Sequence, residues 1–296
     1  MTVRISGFAR KSIKALILAV LCFHVLGIAA VVVAVAFPNI FKRWDKYSPA
    51  LVAHIPHESV EFRSRRGNTL HGWFFANPLS RQAVVLCHGR SRNKSHEMPY
   101  VRDFLKDYNV LVFDFTGHGE NPYAATSIGY NESGDVLGAM DWLEGLGVRE
   151  IAVVGHSMGG AAAIKAVAES GTNPVVKAVV TEGAFAELDT LLTRKVQQYC
   201  IPPTVWWPAF RIAEKVSGYS IRKNEPAQFM REVCCPVLIM QADDDWLAPE
   251  GSAKRLCENA GGISEVVTFN GRHDTPCEAV ASNSLRFLMI HMPPEG

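Results

Sequence analysis

A serine hydroxyl attacks a carbonyl only when a base takes its proton and donors hold the charge that forms on oxygen. The segment Gly155-His156-Ser157-Met158-Gly159-Gly160 offers such a serine. It follows the apolar run 151–154 and opens an Ala-rich stretch over 161–168. G-x-S-x-G between a strand and a helix predicts a nucleophile elbow. Small residues two before and two after Ser157 allow the tight turn that lifts its hydroxyl above a sheet. The helix behind it points its N-terminus at the developing oxyanion, with the Met158 amide as one donor.

The base and the acid that orients it should follow in the order Ser, Asp, His. Downstream, the apolar run 237–241 leads into Asp243-Asp244-Asp245 and then Pro249. The run 265–269 leads into Asn270-Gly271-Arg272-His273, where Gly271 makes a turn that presents His273. Taken singly, three aspartates suit a solvated loop and a histidine after glycine suits a surface. Occurring in this order, each just after a strand, they predict a catalytic triad in which any of the three aspartates satisfies type and order. The second oxyanion donor belongs in the loop after the third strand. That loop is His88-Gly89-Arg90-Ser91. Gly89 permits close backbone approach, which assigns the Arg90 amide as the second donor. His88 precedes the elbow and reads as structural, and Ser91 is not a second nucleophile.

Strand-like runs cover 60–63, 70–76, 83–87, 110–113, 151–155, 176–182, 237–241 and 265–269. The first two flank Arg66-Gly67-Asn68 and predict a hairpin. From 83 onward, apolar runs alternate with helix-like segments, clearest over 136–146, 159–169 and 252–259. Continuous apolar strands between helices predict an α/β domain with a mostly parallel sheet covered on both faces. Residues 184–233, with Pro202-Pro203 and Trp206-Trp207-Pro208, break this rhythm and predict a small cap or a helix with its connections. There Trp206, Trp207 and Phe210 fit an acyl pocket, a lipid contact or plain core packing.

Over residues 58–292 the chain resembles the α/β-hydrolase superfamily. It is most similar to the cap-poor serine hydrolases of the serine aminopeptidase-like and dienelactone-hydrolase-like branch. The resemblance rests on Val60-Glu61-Phe62…Gly67…Leu70-His71-Gly72-Trp73-Phe74, His88-Gly89, Asp114-Phe115-Thr116-Gly117-His118-Gly119, the elbow, the 236–249 stretch and Gly271-Arg272-His273. It implies about eight strands, with helices on both faces. In that pattern the acid stands four residues before the loop proline, which implies Asp245; Glu182, ending the sixth strand, is where some members carry theirs. Relatives often have Arg at Thr116 and Ser at Glu120, departures that touch a turn and not the triad. The implied reaction is acyl transfer through an acyl-enzyme, with no cofactor and no metal.

The 296 residues carry 30 Lys+Arg and 29 Asp+Glu, a net charge of +1. No global basic field exists to hold nucleic acid. Residues 1–37 hold four basic residues (Arg4, Arg10, Lys11, Lys14) and no acid, leaving 26 basic against 29 acidic, a net of −3, in 38–296. Residues 15–37 contain no charged side chain, long enough to cross a bilayer core as a helix. The sequence therefore divides into a basic tail (1–14), a transmembrane helix or signal anchor (15–37), a linker (38–57) and the domain (58–296). A cleaved signal peptide is the rival, with Ala34-Val35-Ala36 as the cleavage site. Charge bias predicts the N-terminus inside and the domain extracytoplasmic, with Trp44 and Tyr47 as interface anchors. His24 reads as a neutral side chain tolerated in the span. A span that is only a tether predicts that residues 38–296 fold without it.

The seven cysteines form no C-x-x-C pair, which argues against a zinc site or a disulfide framework. His54 and His57 flank Pro56 and lack further ligands. Asp114 reads as tying down the turn at 117–119. Arg90, Arg92 and Lys94 fit either an anion-attracting cluster or a solvated loop. The predicted activity is hydrolysis of lipid-like or small acyl esters at a membrane. A peptidase on the same fold and a non-catalytic scaffold are the alternatives.

Overall fold

The computed structural model describes residues 7–37, 55–173, 175–248, 251–273 and 278–295. Trp44, Tyr47, His54, Pro249 and most of the linker lie outside the described residues. In chain order the elements are α1 (Gly7–Ala36), β1 (Glu58–Arg63), β2 (Thr69–Phe75), β3 (Gln82–Cys87), α2 (Met98–Phe104), β4 (Asn109–Phe113), α3 (Ser133–Gly145), β5 (Glu150–His156), α4 (Met158–Ser170) and β6 (Val176–Glu182). There follow α5 (Leu188–Gln198), α6 (Pro203–Ser217), α7 (Pro226–Phe229), β7 (Val237–Asp244), α8 (Ser252–Glu258), β8 (Ser264–Arg272) and α9 (Glu278–His291).

The strands form one eight-stranded sheet in the order β1-β2-β4-β3-β5-β6-β7-β8. β2 runs antiparallel to both β1 and β4, and every other pairing is parallel. All eight predicted strands and the three predicted helices are present, and the chain has the α/β-hydrolase fold. Side chains alternate across each strand. Ala83, Val85 and Cys87 of β3 join the core layer beneath α3, α4 and α5, while Val84 and Leu86 join the layer beneath α2 and α9. Burial on both faces is why these strands read as unbroken apolar runs.

α1 is more than a tether. Its Val31, Val35 and Ala36 are buried in the first core layer, beside Val205 and Ala209 of α6. The Ala36 carbonyl accepts the Thr126 amide at 2.8 Å. The guanidinium of Arg90 donates to the carbonyls of Ala34 and Val35, capping the end of the helix. A cut at residue 37 would remove packed side chains as well as the apolar span. Within α1, His24 Nδ1 lies 2.8 Å from the Val20 carbonyl oxygen.

Candidate active site

The elbow is built by backbone contact. Ser157 holds φ +51° and ψ −110°, outside the ordinary regions for an L-residue. A Cβ on Gly155 would stand 2.5 Å from the Gly159 carbonyl, and one on Gly159 would stand 2.2 Å from the Cys87 oxygen. Neither position admits a side chain. The second contact presses the start of α4 against the loop that carries Arg90. Met158 opens α4, so its amide has no acceptor within the helix. The Ser157 amide donates to the Glu182 carbonyl at 2.7 Å, tying the elbow to the end of β6.

His273 arrives from the end of β8. Its Nδ1 lies 2.9 Å from Asp245 Oδ2, with side chains 1% and 3% exposed. The other Asp245 oxygen accepts the amides of Leu247 and Ala248 at 2.9 and 2.8 Å, and Gln241 donates to Oδ2. Burial pushes the Asp245 carboxyl up, but its hydrogen bond to His273, the charge there and the two amides outweigh burial. The carboxyl sits below its ordinary value. The three aspartates are thereby separated. Asp243 accepts the Gly271 amide at 3.0 Å and Asp244 pairs with Arg272 at 3.0 Å, both holding the turn before His273. Asp245 alone of the three meets the imidazole. Glu182 is buried beside the elbow, and its charge acts on His156.

Gly183 was not foreseen. It has φ +62°, and a Cβ there would stand 2.8 Å from His273 Nδ1. The residue following Glu182 thus sets the imidazole next to the turn that Glu182 ties down. The signal in the sequence is a glycine directly after a strand.

Behind the elbow, His156 Nδ1 lies 2.9 Å from Glu97 Oε2, an ion pair by distance rather than an aligned hydrogen bond. Its ring stacks on Tyr100 at 5.0 Å. Burial pulls the imidazole down, yet the charge of Glu97, reinforced by Glu182, pushes it up to about 9. His88 is the opposite case. Burial and the neighbouring His118 bring it down to about 3. Its Nε2 accepts the Phe115 amide at 3.1 Å, so Nδ1 carries the proton and donates to the Gly89 carbonyl at 2.7 Å. His88 is a neutral strut between the loops after β3 and β4, as its place before the elbow suggested.

A cavity of about 200 Å³ opens over Ser157. Ile128, Phe185, Leu191, Leu192, Trp246 and Leu247 line it, and its charged neighbours are Arg90 and Lys195. Lys195 Nζ lies 3.9 Å from the centre of the Trp246 ring, a cation–π contact. Trp206, Trp207 and Phe210 are not in this cavity. They line a separate groove of about 430 Å³ between α5 and α6, so the acyl-pocket reading of these aromatics does not hold. The anion-attracting cluster also dissolves. Lys94 is buried against Asp114 at 2.8 Å and Glu120 at 3.0 Å, and Arg90 caps α1. Asp114 accepts the Glu120 amide and fills the space a Cβ on Gly119 would need, tying the turn as expected. Among the described residues no group of three or more His, Cys, Asp or Glu could hold a metal, and the described cysteines are free.

Among known proteins, the chain is 27% identical over 221 residues to the uncharacterized protein YqkD of Bacillus subtilis, covering 71% of this chain and 70% of that one. It is 26% identical over 235 residues to the lysophosphatidylserine lipase ABHD12 of Danio rerio, covering 75% of this chain but 58% of the lipase. In three dimensions an esterase of Pyrococcus furiosus superposes with a TM-score of 0.70 at 22% identity, over 85% of this chain and 97% of the esterase. That likeness shows the fold. The model described as the alpha/beta hydrolase family matches residues 84–283, from β3 through the elbow and the β7 and β8 loops into α9. With two thirds of its length matched and the sheet order in place, the chain belongs to the alpha/beta hydrolase family.

Proposed function

We propose that this hydrolase cleaves carboxylic acyl esters by a Ser157–His273–Asp245 triad, and that α1 holds it in a membrane. The observation that carries the reading is the convergence of a strained serine, a histidine bonded to a buried carboxylate, and an apolar cavity over that serine. Ser157 Oγ attacks the ester carbonyl carbon as its proton passes to His273 Nε2. The amides of Met158 and Arg90 hold the oxyanion, each contributing about 3 kcal/mol. Collapse expels the alcohol, which takes the proton from the imidazolium. Water, deprotonated by His273, then releases the acid and restores Ser157. Asp245 fixes the imidazole tautomer and balances its charge.

An ester suits the cavity better than a peptide. The charged side chains lining it are cationic, and an aminopeptidase needs an anion for the substrate amine. The lipase relative, named for a lysophospholipid, agrees with an apolar acyl site. A scaffold protein has no use for all three triad positions. The Lys11–Ala36 part of α1 is long and apolar enough to cross a membrane, and the positive N-terminal flank favours a domain on the extracytoplasmic side.

The test is hydrolysis of p-nitrophenyl esters from acetate to palmitate by the full chain in detergent, beside Ser157→Ala. Turnover lost in the variant supports the triad, and the chain-length optimum reports cavity depth. A folded wild-type chain that cleaves none of the series counts against the ester reading, as does a Ser157→Ala variant of undiminished rate.

A further inference from the structure

A helix crossing a bilayer needs about 20 residues, a rise of about 30 Å. In α1, residues 11–23 are exposed throughout. From His24 onward a stripe faces the protein: His24, Gly27, Ile28, Val31 and Val35, spaced three or four apart. The uncharged stretch clear of the protein is therefore 15–23, a rise of about 14 Å and less than half a hydrocarbon core. To cross, α1 must carry about eleven more residues into lipid, and these are the ones packed on α6.

Whatever touches them there enters the lipid too. A Cβ on Gly27 would stand 3.1 Å from Val205, and Thr204 Oγ1 lies 3.3 Å from His24 Nε2. At the other end of α6, Tyr219 stands near Arg90, which caps α1. The two helices thus run side by side from the α5–α6 turn down to the domain. Residues 196–210 contain no charged side chain, with Arg194 and Lys195 before them and Arg211 after. Exposed on this segment are Tyr199 and Trp207, at 66% and 59%. An uncharged aromatic tip between cations matches an apolar layer beneath anionic headgroups.

We infer that the tip of the α5–α6 hairpin, residues 199–207, is immersed in the bilayer beside α1, so that ester substrates reach Ser157 from the membrane along α5. The inference rests on the membrane reading of α1. α5 joins the two ends of the route, because its Leu191, Leu192 and Lys195 line the Ser157 cavity and its last turn leads into the tip.

Three exposed native thiols report the geometry: Cys22 in mid-α1, Cys200 at the tip and Cys234 on the domain. The full chain in nanodiscs of phosphatidylcholine and phosphatidylglycerol is treated with a membrane-impermeant maleimide, and modified peptides are followed by mass spectrometry. Both disc faces meet solvent. Cys22 and Cys200 should react at least about ten-fold more slowly than Cys234, because a thiol in hydrocarbon neither ionises nor meets the reagent. Cys200 reacting as fast as Cys234 while Cys22 stays protected overturns the immersion and leaves the anchor standing. Cys22 reacting as well removes the membrane reading and the immersion with it. Trp207→Asp tests the route separately. It should cut hydrolysis of a long-chain ester presented in nanodiscs by about ten-fold, given the cost of a carboxylate in lipid, and leave soluble p-nitrophenyl acetate untouched. Equal rates on the disc-borne ester overturn the delivery route.

Discussion

The C-terminal rim of the sheet and the α1–α6 lobe are both apolar at their bases, yet they are held by different means. At the rim, position is set by close approach to the backbone. Gly155 and Gly159 leave no room for a Cβ against neighbouring backbone, and Gly183 leaves none against the His273 ring. In the lobe, position is set by side chains of interchangeable shape, with Val31, Val35, Val205 and Ala209 in one core layer. A rim of this kind tolerates almost no substitution, while a lobe of this kind tolerates most that keep volume and polarity. Chemistry needs the first, and lodging a helix against lipid needs only the second.

The contrast can be broken or sharpened by substitution. Ser157→Ala should lower kcat by on the order of 10⁴- to 10⁶-fold with the melting temperature unchanged. Asp245→Asn should cost about 10⁴-fold by spoiling the imidazole tautomer. Asp243→Asn and Asp244→Asn fall on exposed carboxylates at the same loop and should stay within the small range of surface changes; comparable losses at all three would dissolve the distinction between them. Gly183→Ala should displace the imidazole and cost about 10²-fold in kcat, with secondary structure by circular dichroism retained.

In the lobe the expected effects are on stability. Val35→Ala should cost roughly 2 kcal/mol in thermal or denaturant unfolding in detergent. Leu18→Ala, on the exposed part of α1, should cost nothing there. Equal effects at both positions would mean that α1 does not enter the core. The smallest expected change is a pH dependence at the Glu97–His156 pair. The folded imidazole is raised from 6.5 to about 9. Its stabilisation is complete below about pH 6.5 and is lost as pH rises through about 9. Glu97→Gln should therefore narrow the difference in melting temperature between pH 6 and pH 10 that the wild type displays.

Much of the rim was legible in the residues. Ser157 was fixed by G-x-S-x-G, and His273 by its place after the last strand. The three consecutive aspartates were not separable by type or order. Choosing among them needed the family spacing, and the structure supplies the physical difference: which carboxylate meets the imidazole and which ones brace the Gly271 turn. Gly183 stayed hidden because its partner, His273, lies far along the chain. The Trp206-Trp207-Phe210 cluster was ambiguous for a related reason. An aromatic in a core, a pocket or a membrane has the same composition, and only neighbours tell them apart.

Sequence alone determined the alternation of buried strands and helices, the elbow and the uncharged N-terminal run, because each follows from local spacing and side-chain size. Tertiary structure decided that Arg90 spends its guanidinium on the end of α1, and that Val31, Val35 and Ala36 complete the domain core. An apolar run carries the same signal whether lipid or protein receives it. The partner that covers each face is a property of the folded chain, and pattern along one segment does not contain it.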